Sequence, residues 1–190
     1  MSTKDWEKKL AKADEDTDKI ARELLEIYAK RKLQKGYKFA KNEALENDFF
    51  NSFEFIYTDD QFNVIKEIFK DMESPFPMDR LISGDVGFGK TEVAFAAIFK
   101  AIIDGRQTAL ISPLVVLAYE HYEKALTRFG KFPFNIAVLT RFESSTSIKN
   151  TLDRLKNGKI DLVIGTHRLL SEDVEFKNLG LLVVDEEHKF

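Results

Sequence analysis

The feature that most restricts what this chain can become is the run Gly84-Asp85-Val86-Gly87-Phe88-Gly89-Lys90-Thr91. Two glycines are separated by four residues and followed by Lys-Thr. Arg80–Ser83 before it reads as a short apolar strand, and Thr91–Ile103 after it as an apolar, buried helix. A strand–glycine loop–helix unit suits an anion. Glycines let backbone N–H groups turn inward and approach it closely. The start of the helix adds unpaired N–H groups and the positive end of a dipole. A Lys at this place neutralises the β- and γ-phosphates of a nucleotide, and the Thr hydroxyl ligates magnesium. Gly84, Asp85, Val86, Gly87, Phe88, Gly89, Lys90 and Thr91 are therefore the expected nucleotide-binding residues, with ATP and Mg2+ as ligands.

The rest of the chain agrees with such a unit. Short apolar runs at Thr108–Ser112, Ile136–Thr140, Ile160–Gly165 and Leu181–Asp185 alternate with helical stretches at Val115–Phe129 and Ile148–Lys156. Gly105, Gly130 and Gly158 fall just past helices, where left-handed caps are expected. The alternation predicts an α/β fold: a parallel sheet sandwiched by helices. Leu181–Val184 delivers Asp185 and Glu186 at the carboxyl end of a strand, where open α/β sheets bind ligands. A strand leading into a solvated acidic turn is the blander explanation, and alone it would be preferred. Downstream of a phosphate loop, Asp185 is expected to hold magnesium together with Thr91. Glu186 is expected to polarise the attacking water. Lys90, Asp185 and Glu186 form the expected catalytic set.

Thr58-Asp59-Asp60-Gln61 is a capping box, opening a helix whose buried face is Phe62, Ile65, Phe69 and Met72, ended by Pro75 and Pro77. Gln61 also sits where many nucleic-acid motors place an adenine-reading glutamine; the cap explains it equally well, and both can hold. His167 follows a strand end, where a lone His is more often structural. Arg141 and Arg168 also follow strands, where a basic side chain can meet a phosphate; a surface salt bridge explains either one alone as well.

Composition sets the outer limits. The chain has 190 residues, 44% hydrophobic, with 17 Phe: one globular domain plus an appendage. A net charge of −3 confines nucleic-acid contact to local patches. The absence of Cys excludes a disulfide scaffold and a thiolate metal site. No apolar run reaches membrane-spanning length and Met1–Lys9 lacks an apolar leader, so no membrane partner and a cytoplasmic location are expected. Near the N-terminus, Thr17–Leu33 carries Ile20, Leu24, Ile27 and Tyr28 at helical spacing. Asp14, Glu15, Asp16 and Asp18 lie at its start, Lys30, Arg31, Lys32 and Lys35 at its end, and Gly36 follows. This reads as an amphipathic helix lying on a core. The basic Lys30–Lys41 stretch fits a solvated helix end better than a phosphate contact.

Pro77–Leu81 running into Gly84–Ala94 closely resembles the bacterial transcription-repair coupling factor family. So do Leu139–Phe142, Ile164–Leu170, Phe176–Leu181, Asp185–Phe190 and the helix Ile20–Arg31. The resemblance covers nearly the whole chain. It implies the first RecA-like lobe of a superfamily 2 translocase on double-stranded DNA, with a linker-type helical segment at 1–40 and the ATP-binding lobe at 41–190. Lys90, Thr91, Asp185 and Glu186 would be its ATPase residues and Gln61 its adenine contact. Thr140, Arg141, Thr166, His167 and Arg168 would belong to segments facing the DNA backbone. RNA polymerase and excision-repair proteins would be partners through domains outside this chain. The chain departs from the family where Leu114-Val115 replaces a Thr pair. It also reads as a fragment, because the family's lobe continues with a Thr-Ala-Thr strand and a second lobe with an arginine finger. Two alternatives remain: a RecG-type branch-migration helicase lobe, and a nucleotide-binding or scaffolding fragment with no motor activity of its own.

Overall fold

The computed structural model describes residues 17–30, 33–85 and 87–189. Expectations that rest on Met1–Lys9, Asp14, Glu15, Asp16, Arg31, Lys32, Val86 and Phe190 lie outside the described residues. Helix α1 covers 17–30. Then come α2 (Glu43–Asn51), α3 (Asp59–Met72), α4 (Lys90–Ile103), β1 (Gln107–Ile111), α5 (Val115–Arg128), β2 (Ile136–Leu139), α6 (Ser145–Lys156), β3 (Leu162–Gly165) and β4 (Leu179–Val184). Short 3₁₀ turns sit at His167–Leu170 and Glu187–Lys189.

All strand pairs are parallel, in the order β2-β3-β1-β4. Leu139 pairs with Gly165, Gly165 with Ile111, and Ile111 with Val184. The residues just past these positions are Thr140, Thr166, Ser112 and Asp185, so four polar residues line up along the carboxyl edge of the sheet. The inner strands β1 and β3 are buried on both faces, whereas the edge strand β4 leaves Leu179, Leu182 and Val184 exposed. Leu110, Leu162 and Ile164 pack with Val93, Phe95, Ala118 and Ala125 of α4 and α5. Ala109, Ile111, Leu139 and Val163 pack with Leu155 and Leu169.

Helix α4 is buried nearly all round: Val93, Ala96, Ile98, Phe99 and Ala101 have no exposed surface. A helix apolar on every side belongs in the centre of a domain, and this one carries the phosphate loop at its start. Phe49 of α2 stacks on Phe99 with centroids 4.5 Å apart and contacts Phe129 at 6.0 Å. Phe132 and Phe134 extend the cluster. Lys100, also without exposed surface, is held by Glu46 at 2.6 Å and Glu73 at 2.8 Å. A charge so buried persists only when paired, and here it ties α4 to α2 and the end of α3.

Six features differ from the sequence expectation. Phe62, expected on the buried face of α3, is exposed, and that face is Ile65, Ile68, Phe69 and Met72. Arg80–Ser83 is not a strand. A strand exists through its ladder, and this segment has no ladder partner among the described residues. It lies across a cleft of about 980 Å³ from Leu181–Asp185, with β4 the edge of the sheet. The nine-residue α2 was not anticipated; Asn42 caps it by accepting from the Leu45 N–H, and Phe49 anchors it. Helix α6 starts at Ser145, capped by the Ser144 hydroxyl, rather than at Ile148. Gly105 and Gly158 have positive φ, but Gly130 does not. In α1, Ile20, Leu24, Ile27 and Tyr28 are exposed, so among the described residues no core lies beneath it.

Candidate nucleotide-binding site

The loop is shaped by two glycines. Gly87 and Gly89 take φ of 87° and 83°, a region that side-chain-bearing residues avoid. A Cβ on Gly89 would stand 2.5 Å from Gln61 Nε2. Lys90 Nζ donates to the carbonyls of Gly84 (2.6 Å) and Asp85 (3.1 Å), which keeps its charge on the loop.

Gln61 fills its expected capping place. The Thr58 N–H donates to Gln61 Oε1 at 3.0 Å and the Gln61 N–H donates to Thr58 Oγ1 at 3.2 Å, closing the capping box. Gln61 Nε2 also donates to the Phe88 carbonyl at 2.6 Å, binding helix α3 to the loop. One Nε2 hydrogen and one Oε1 lone pair remain, the donor–acceptor pair complementary to an adenine's N7 and N6.

Lys90, Thr91, Asp185 and Glu186 line one cleft. The Asp185 N–H donates to the Ile111 carbonyl at 2.8 Å, which fixes its backbone at the end of β4. Its carboxylate meets His121 Nε2 at 2.8 Å. That hydrogen bond holds the Asp185 carboxyl below the ordinary aspartate range against the opposing effect of burial, and the Lys90 charge adds to it. A carboxylate ionised across neutral pH is a fitting magnesium ligand. Among the described residues no group of three or more His, Asp or Glu forms a metal cage. Thr91 and Asp185 fit magnesium instead as it is usually bound, by one or two protein oxygens with the substrate phosphates completing the shell. Glu186 has φ of 53°, the one non-glycine positive φ among the described residues, and its carboxylate lies 3.1 Å from Lys189 Nζ. Backbone strain of this kind gathers at functional sites.

Two groups that support the site went unnoticed in the sequence. Glu92, next to Thr91, accepts from Arg128 Nε at 2.8 Å and from the Tyr57 hydroxyl. Arg128 also reaches Ser52 Oγ at 2.6 Å and the Phe49 carbonyl at 3.0 Å, and covers the Phe49 ring at 3.7 Å. Burial, then the bond to Glu92, push the Tyr57 hydroxyl pKa well above its ordinary range. The second is His121 itself. Ala118, His121 and Ala125 are the buried residues of α5 at 3.6-residue spacing. A polar side chain on a helix's apolar stripe was the available signal.

The expected DNA-facing residues divide by exposure. Thr140 and Thr166 are buried. Thr140 Oγ1 donates to Glu143 Oε1 at 3.0 Å, and Glu143 also accepts from Tyr119 Oη at 2.5 Å. Arg141 is exposed, with its guanidinium 4.9 Å from the Phe142 ring centroid, and His167 is exposed. Arg168 makes a bidentate pair with Asp173 at 2.7 and 2.6 Å.

The chain is 48% identical over 186 residues to the transcription-repair-coupling factor of Bacillus subtilis (strain 168). It is 44% identical over the same length to that of Staphylococcus aureus (strain USA300). Each match covers 98% of this chain and 16% of the relative's length. A solved structure of RecG bound to a three-way DNA junction superposes with a TM-score of 0.82 at 41% identity, covering 87% of this chain and 23% of that one. Residues 58–190 match the DEAD/DEAH box helicase family, and the chain belongs to that family.

Proposed function

We propose that the chain is the ATP-binding motor lobe of a superfamily 2 double-stranded DNA translocase acting in transcription-coupled repair. Residues 1–40 would be a linker-type segment and 41–190 the lobe proper. One observation carries the reading: Lys90, Thr91, Asp185 and Glu186 share a single cleft at the carboxyl edge of a parallel sheet. The relatives' name supports the repair context, and the RecG structure supports DNA as the track. A RecG-type helicase lobe is the second reading, favoured by the 0.82 TM-score but carried by a lower identity, 41% against 48%.

Each residue then has a task. Backbone N–H groups of Gly87 and Gly89 cradle phosphate oxygens, and that of Phe88 joins them on leaving the Asp85 carbonyl. Lys90 exchanges its loop carbonyls for the β- and γ-phosphates. Thr91 and Asp185 hold magnesium, which when bound neutralises the charge on the transferring phosphoryl group. Glu186 orients the attacking water and accepts its proton. Gln61 reads the adenine edge. Arg141 and His167 offer backbone-tracking contacts that carry no sequence information. RNA polymerase and excision-repair proteins would engage other parts of a longer protein, in the cytoplasm.

An arginine finger in a motor of this kind contributes about 10³-fold or more to the rate. Residues 1–190 alone should therefore bind magnesium-ATP weakly and turn over negligibly. The test is ATP hydrolysis with and without double-stranded DNA. A DNA-stimulated rate near that of complete motors, abolished by Lys90→Ala, would overturn the expectation for the isolated lobe. In a complete parent protein, Glu186→Gln should keep nucleotide binding and stop hydrolysis; intact hydrolysis would remove the water-activating role.

A further inference from the structure

Asp185 stands at the end of β4, the outer strand of the described sheet. Its backbone is anchored to Ile111 on one side only. Its carboxylate is held by the neighbouring Glu186 backbone N–H and, from α5, by His121, whose Nε2 lies 2.8 Å from Asp185 Oδ2. His121 is 7% exposed and lines the same cleft as Lys90, Thr91 and Asp185.

The ring's other nitrogen decides how the bond runs. His121 Nδ1 is buried with no hydrogen-bond partner among the described residues. A buried, unpaired N–H is the rarer and costlier orphan, whereas a bare lone pair is tolerated more readily. The neutral ring therefore carries its proton on Nε2 and donates it to Asp185 Oδ2. That bond engages Oδ2, the Glu186 backbone N–H also bonds to the carboxylate, and the lone pairs left over are the ones that can ligate a metal. Imidazole–carboxylate partners of this kind orient ligands at metal sites, and losing such a partner costs about 10- to 100-fold in metal affinity.

We propose that His121 is a positioning residue for magnesium: its Nε2–H, together with the Glu186 backbone N–H, holds the Asp185 carboxylate in a rotation that presents it to the ion beside Thr91. The inference rests on the reading of the cleft as a magnesium-ATP site. It gives α5 a part in that site, although none of its residues lies in the phosphate loop or the acidic run. His121 acts through Asp185 and touches neither nucleotide nor metal.

The experiment measures ATP dissociation constants for residues 1–190 in magnesium and in excess EDTA. The ratio of the two is the magnesium increment. Wild type should show an increment, with Lys90→Ala weakening ATP binding in both buffers. His121→Leu should cut the increment by about 10- to 100-fold and leave affinity in EDTA unchanged, because the loop and Lys90 are intact. His121→Gln, whose side-chain amide nitrogen occupies the place of Nε2, should keep most of it. His121→Asn, too short to reach Asp185, should behave like Leu. Should Leu prove too unstable to purify, Gln against Asn still decides: a Gln increment well above that of Asn supports the inference, and equal increments overturn it. An increment that survives His121→Leu overturns the inference alone. A wild-type chain with no increment, by contrast, fails the magnesium-ATP reading itself.

Discussion

Replacing Arg128 with Met should destabilise the lobe far more than loss of an ordinary ion pair. The Arg128 and Glu92 side chains are 8% and 10% exposed, with Nε 2.8 Å from the Glu92 carboxylate. Arg128→Met removes this pair, the bonds to Ser52 and the Phe49 carbonyl, and the guanidinium over the Phe49 ring. Glu92 then stays buried as a charge with the Tyr57 hydroxyl as its remaining donor from this cluster. Breaking a buried pair from one side costs about 3–5 kcal/mol. For a chain of this size each kcal/mol moves the melting midpoint by roughly 2–4 °C, so a drop of about 6–20 °C follows. The assay is denaturant and thermal unfolding followed by far-ultraviolet circular dichroism. The double variant Glu92→Gln with Arg128→Met leaves no unpaired buried charge at this cluster, so it should recover much of the loss. A cost for Arg128→Met below about 1 kcal/mol, the range of exposed pairs, would refute this reasoning. So would a double variant that loses the sum of the two single changes.

Other outcomes follow from the loop and the acidic turn. Gly89→Ala places a Cβ 2.5 Å from Gln61 Nε2 at a φ of 83°, and it should abolish ATP binding measured by fluorescence titration while the lobe stays folded. At Glu186, with φ of 53°, Gly should be more stable than Ala by about 1 kcal/mol in urea melts, the reverse of the order in an ordinary loop. Lys100→Met leaves Glu46 buried without its cation and should cost about 3–5 kcal/mol by the same melts. Adding Glu46→Gln should return part of that loss.

What the sequence made legible was local. The phosphate loop, the Thr58–Gln61 cap and the Leu181–Glu186 run each announce themselves within a few residues, because glycine conformation, capping and strand alternation act over that distance. The sheet followed from the alternation of apolar runs. What stayed hidden depends on contacts between distant positions: Lys100 with Glu46 54 residues away, Arg128 with Glu92 36 away, His121 with Asp185 64 away. No periodicity encodes such pairs. The misread Arg80–Ser83 has the same origin, since its apolar residues suit a strand but strand formation depends on a neighbour. The α1 stripe was legible as a helix face, whereas its exposure among the described residues was not.

The central claim is that Gly84–Thr91 and Asp185 together form a magnesium-nucleotide site. Equilibrium titration of residues 1–190 with a fluorescent ATP analogue tests it most directly, comparing wild type, Lys90→Ala and Asp185→Asn with and without magnesium. Saturable wild-type binding that strengthens with magnesium is predicted. Lys90→Ala should lose binding in both conditions, and Asp185→Asn should lose only the strengthening by magnesium. Wild-type binding indifferent to magnesium, or unchanged by Lys90→Ala, would contradict the account.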